Sequence, residues 1–163
     1  MCSAANGSLD LTQIEERYYQ ALLQMKRLEF DEPLPWTTQS LYDWFVGTVD
    51  GVYMGADTSY CCNPRRVINI VAWGVLDDLG HLTYPLELLV HEARHIEAGG
   101  HKCNGRDLTI QEMGASGVQY YLMEWIGLHG TSEWLSQYDR QYALNRAAQI
   151  RSGGFCYECS GPQ

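Results

Sequence analysis

His91-Glu92-Ala93-Arg94-His95-Ile96-Glu97-Ala98-Gly99-Gly100-His101 is the stretch on which the architecture turns. Pro85 suits a first helical turn, Leu86, Leu89, Val90 and Ala93 form an apolar face, and Gly99-Gly100 suits an end, so a helix is expected over 85–98. On it His91 and His95 stand at i and i+4, one turn apart on one face, where both imidazoles can reach a single metal ion. Glu92, beside the first histidine, projects near the same site and can take a proton from water held there. Zinc suits the pair because it binds neutral imidazole and tolerates an open position, although imidazole also suits copper, nickel and iron. Glu97 falls off the ligand face. Arg94 faces elsewhere and calls for a carboxylate partner, since its guanidinium stays protonated and cannot be a ligand. The plain alternative is a helix with two packed or exposed histidines. Glu92 and the nearby His101 weigh against it.

The segment HEARHIEAGGH resembles the metzincin branch of the zincin-type zinc metalloproteases, whose pattern is HExxHxxGxxH. The resemblance covers eleven residues and rests on this motif. It puts His91, His95 and His101 on the ligand positions and Glu92 on the general-base position. Ala98 stands where the pattern has glycine, whose positive φ lets the chain leave the helix and return the third histidine to the metal. Gly99 offers that freedom one residue later. The resemblance implies a zinc-dependent peptidase, in which Glu92 takes a proton from zinc-activated water as it attacks a peptide carbonyl and passes it to the leaving amine.

The gluzincin arrangement, with a carboxylate from the next helix, competes for the third ligand. Glu112 is its candidate, early in a helix expected over 109–126. A capping box in Thr109-Ile110-Gln111-Glu112 competes for the same carboxylate, which would then bond back to the Thr109 N–H. Glu124 reads as solvated. Metzincins also carry a methionine turn beneath the metal, but Met113 and Met123 fall inside the expected helix and read as core. Tyr120 and Tyr121 could lend a phenol to an oxyanion, whereas aromatics at helical spacing are usually core.

The chain has 163 residues, enough for one domain with a real core. Its net charge is −9 with only two lysines and no basic stripe, so nucleic acid is not an expected partner. No apolar run is long enough to span a bilayer, and no P-loop, GxGxxG or GxSxG signature occurs.

Six cysteines are many for a cytosolic chain of this length and read mostly as disulfides of an exported protein. Cys61 and Cys62 are adjacent and are expected to reach different partners. Bonds from Cys103 and from the Cys156/Cys159 pair would tie the metal loop and last helix to the Cys61 region. A structural zinc on Cys61, Cys62, Cys156 and Cys159 has poor spacing, and a thioredoxin-like role for the CxxC lacks a βαβ context. Cys2 and the small polar residues after it resemble the start of a mature bacterial lipoprotein. A lipid on Cys2 would be the one membrane attachment, on an extracellular, periplasmic or cell-surface protein. The competing reading is a cytosolic protein with a disordered N-terminus.

A helical stripe runs through Ile14, Tyr18, Ala21, Leu22, Met25 and Leu28, with a capping box at Thr12–Glu15, so a helix is expected over 11–29. Residues 31–36 read as a connector, 40–45 as a short helix, and 47–60 as a β-hairpin or loop. Residues 64–79 read as helix from Pro64 and the Val67, Val71, Val75, Leu79 repeat, with a β-branched strand at 67–71 as the alternative. Gly114-Ala115-Ser116-Gly117 would let a neighbouring helix, the metal helix, approach closely. A last helix is expected over 132–151, starting at Ser132, burying Leu135, Tyr138 and Tyr142, and ended by Gly153-Gly154.

The expected protein is mainly α: a compact, single zincin-like domain over 11–163, with a small β-hairpin or sheet, behind a flexible leader over 1–10. Its expected function is zinc-dependent hydrolysis of a peptide or protein substrate. A non-catalytic metal-binding or surface-interaction domain is the alternative, supported by small size and by Ala98. A structural helical domain with incidental histidines is the third reading.

Overall fold

The apolar stripe near the N-terminus folds as α1 (Leu11–Arg27), which buries Tyr18, Ala21 and Met25, with Leu28 just beyond its end. The structure, a computed structural model, describes residues 11–56, 66–71 and 83–157. α1 has begun by Leu11, ahead of the Thr12 expected to cap it. α2 (Leu41–Thr48) starts at Ser40, whose Oγ accepts the Asp43 N–H at 3.1 Å, and it buries Leu41, Trp44 and Phe45.

β1 (Gly51–Ala56) and β2 (Val67–Val71) form a parallel pair, with Gly51 opposite Val67 and an irregularity between Met54 and Ala56. Two expectations are corrected here. Within the expected hairpin or loop over 47–60, residues 51–56 are a strand paired in parallel with β2 and 57–60 lie outside the described residues; and 67–71 is strand rather than helix. Ile68, Asn69 and Ile70 are all buried, so both faces of β2 are covered. A strand covered on both faces needs a continuous apolar run rather than alternation, and β-branched residues suit it. Pro64, Val75 and Leu79, on which the expected helix over 64–79 also rested, lie outside the described residues.

α3 (Thr83–Ala98) carries His91 and His95 and buries Leu86, Leu89, Val90 and Ala93 as the stripe requires. The helix expected over 109–126 is broken. A 3-10 turn covers Ile110–Glu112, Met113 takes φ +50°, and α4 (Ala115–Leu128) begins after Gly114. Gly114 is fitted to residue 107, not to α3: a Cβ there would sit 2.6–2.8 Å from the Asp107 carboxyl group. α4 is the core helix, with Val118, Leu122, Met123 and Ile126 fully enclosed between α3 and α5.

α5 (Gln137–Gly153) starts five residues later than expected, at a capping box between Ser136 and Asp139. Ser132 serves α1 instead: its Oγ accepts the Glu29 N–H at 2.8 Å and donates to the Arg27 carbonyl at 2.9 Å. α5 packs through Ala143, Ala147 and Ile150, while Tyr138 is 68% exposed, contrary to expectation. These small contacts let α5 lie close to α4, where a Cβ on Gly127 would overlap Leu144. Among the described residues no helix is long and apolar enough to cross a membrane.

Candidate metal centre

α3 holds His91 and His95 on one face, with ring centroids 4.9 Å apart. The helix ends at Ala98, and Gly99 makes the turn with φ +78°, its N–H bonded to the His95 carbonyl at 3.0 Å. Only glycine adopts that conformation without cost, so the turn falls one residue later than in the HExxHxxGxxH pattern. It still returns His101 to the pair, with ring centroids 5.2 Å from His91 and 4.6 Å from His95. One ring nitrogen from each histidine lies within 4.8 Å of the other two, and all three residues are half-buried. The three histidines could hold a metal ion.

The hydrogen bonds decide which nitrogens face the shared point. His95 Nδ1 donates to the Gly99 carbonyl at 2.8 Å, and His101 Nδ1 donates to Asp107 Oδ1 at 2.9 Å. His91 Nδ1 lies 2.8 Å from Gln119 Oε1 on α4. The Gln119 amide is itself oriented, because its Nε2 donates to the Glu87 carboxylate. Glu87 is buried one turn ahead of His91 and accepts from Arg146 of α5 at 2.8 and 2.9 Å through Nε. Each acceptor is an oxygen, so each imidazole carries a hydrogen on Nδ1, and Nε2 is the nitrogen left to reach a metal. Such outer partners fix the tautomer and ring angle of a ligating histidine.

Burial, then the charge of His95, lowers the His91 pKa to about 4, and burial also lowers that of His95. His91 therefore stays neutral well below physiological pH, the form a metal requires, and His95 is shifted in the same direction. Glu92 follows His91 on α3 and is buried.

The back of α3 is latched in place. Arg94 donates to Glu97 at 2.6 Å, the expected ion pair, and to the Met113 carbonyl at 2.8 Å. Glu97 in turn accepts from Trp44 and Thr48 of α2, each at 3.2 Å. Met113 thus sits in a turn rather than a helix, while Met123 is core as expected.

Glu112 lies outside the histidine group. Its carboxylate accepts the Leu108 N–H at 2.9 Å and pairs with Lys102 at 3.2 Å, so it closes the turn at 108, one residue ahead of the expected capping box. Glu124 is not simply solvated: it accepts from the Tyr120 hydroxyl. Burial first, then Glu124, pushes the Tyr120 pKa up to about 12. That phenol is buried and its hydroxyl is bonded to Glu124.

Cys103 bonds Cys156, not the Cys61 region, and this also removes Cys156 from any structural zinc set. Cys2, Cys61, Cys62 and Cys159 lie outside the described residues. The bond joins two segments already paired by backbone: Asp107 N–H to the Gly154 carbonyl at 3.1 Å, and Cys156 N–H to the Asp107 carbonyl at 3.0 Å. Between His101 and Asp107 the chain reverses at Asn104-Gly105, both with positive φ, with Cys103 and Arg106 exchanging two backbone bonds.

Asp107, Gln119, Glu87 and Arg146 went unnoticed in the sequence. Two signals could have found some of them. Asn104-Gly105 is a hairpin turn that brings the following residues back beside His101. Glu87 is a carboxylate on an apolar helix face, four residues before His91. No family model, curated protein or solved structure matches this chain.

Proposed function

We propose that this chain is a zinc-dependent peptidase of zincin type, exported to an oxidising compartment. One observation carries the reading: three imidazoles converge, each with its Nδ1–H committed to an outward acceptor, so that Nε2 of each is the nitrogen left to a metal. That donor set suits zinc with an open position. A zinc ion held by His91, His95 and His101 would supply Lewis acidity toward a carbonyl and toward water. Glu92, buried beside His91, is assigned as general base: it accepts a proton from attacking water and returns it to the leaving amine. The buried carboxylate is acceptor-only when ionised, as this role needs. The Cys103–Cys156 disulfide supports an oxidising setting.

Zinc-loaded protein with its disulfide intact, incubated with a diverse peptide library and read by mass spectrometry, tests the reading. Cleavage is expected, with Glu92→Gln slowing it by about 10²–10⁴-fold while zinc still binds. Undiminished cleavage by Glu92→Gln would overturn the role of Glu92. Zinc binding without any cleavage would favour the non-catalytic metal-binding domain.

A further inference from the structure

Asp107 is 3% exposed, and both of its carboxylate oxygens are used. Oδ1 accepts from His101 Nδ1 at 2.9 Å, and Oδ2 accepts the Gly117 N–H at 3.1 Å. Gly117 is in the first turn of α4, whose own cap residue, Gly114, has no side chain to offer. Asp107 therefore caps α4 from another segment, satisfying one of its orphan N–H groups with a charge that the helix dipole favours. Gly114 makes room for this. Its φ of −70° suits any residue, so only space demands glycine there: a Cβ would stand 2.6 Å from Asp107 Oδ2.

We propose that Asp107 is the positioning residue of the metal site, fixing His101 in the Nδ1–H form and tying the metal loop to the start of α4. The inference rests on the metal-site reading above. A carboxylate accepts on both sides, whereas an asparagine of the same shape has one acceptor and one donor. If the amide oxygen faces His101, its NH₂ meets the Gly117 N–H, donor against donor. If the NH₂ faces His101, Nδ1 must accept and the hydrogen moves to Nε2, where it blocks the lone pair a metal needs. The first arrangement loses the cap on α4; the second keeps both contacts with the bond to His101 reversed, and is the one expected.

Long-range ¹H–¹⁵N spectra of the metal-free full chain at a pH where histidine is neutral report the His101 tautomer directly. Zinc affinity is measured on the same samples by competition with a chelator. Wild type is expected in the Nδ1–H form. Asp107→Asn is expected to move His101 toward Nε2–H and to weaken zinc binding by about 10–100-fold. Gly114→Ala, which replaces no histidine partner, is expected to act in the same direction by crowding the carboxyl group, and it serves if the first variant does not fold. A merely structural role would lower thermal stability and leave the tautomer unchanged. Wild-type His101 in the Nε2–H form, or folded variants with unchanged tautomer and zinc affinity, would overturn the proposal. If the tautomer shifts as expected but wild type binds no zinc, the orienting role of Asp107 stands and the metal reading falls.

Discussion

Acidifying the metal-free protein should destabilise it through His91. In the unfolded chain this imidazole binds a proton near pH 6.5, whereas in the folded protein burial and the neighbouring histidines hold it off until about pH 4. The unfolded state therefore binds the extra proton across that window, and stability falls as pH falls. The contribution is fully present above pH 6.5, declines below it, and is gone near pH 4. At 1.36 kcal/mol per pH unit, the loss sums to about 3 kcal/mol, a large share of a typical domain's 5–15 kcal/mol. His95 adds in the same direction. Urea unfolding followed by circular dichroism, in chelator and at steps from about pH 7.5 to about pH 4.5, measures the slope. His91→Gln has no charge to gain, so its stability should fall less steeply by about one proton's worth. Carboxylates titrate in both proteins and cancel in the comparison. Equal slopes in the two would refute the claim that His91 is held neutral by burial.

Three further outcomes are expected. Reducing Cys103–Cys156 frees a loop spanning 53 residues, worth about 4 kcal/mol by chain entropy, so the melting temperature should drop sharply with reductant; an unchanged melt would deny the bond a stabilising role. Arg146→Met leaves the buried Glu87 carboxylate without its guanidinium and should cost about 3 kcal/mol in urea unfolding, whereas a loss near zero would show that Glu87 is satisfied without it. Ser136→Ala removes the α5 capping box and should cost about 1 kcal/mol with zinc affinity unchanged, read by thermal melt and chelator competition; a change in affinity would contradict the separation of this cap from the site.

The parts legible in the sequence are those where one local signal dominates. The α3 stripe, Pro85 and the glycine end point the same way, and the helix runs as they say. The third histidine was legible through Gly99, because positive φ is a backbone requirement that one residue type meets. What stayed hidden depends on contacts across the fold. Residues 67–71 carry both a helical repeat and β-branching, and only burial on both faces decides for strand. The break at Met113 and Gly114 lies against the Asp107 carboxyl group, which leaves no space for a Cβ on Gly114 and comes from seven residues away in sequence. Cysteine pairing cannot be read from spacing, and the bond from Cys103 followed the backbone pairing of 107–108 with 154–157. Asp107 and Gln119 carry no motif; their roles exist only once His101 and His91 have been placed beside them.

Diffraction from untagged, zinc-soaked crystals at the zinc absorption edge is the most direct test. One strong anomalous peak is expected within bonding distance of Nε2 of His91, His95 and His101, with Asp107 and Gln119 still on the Nδ1 side. No peak there, or a peak held by Glu112 in place of His101, would contradict a three-histidine site.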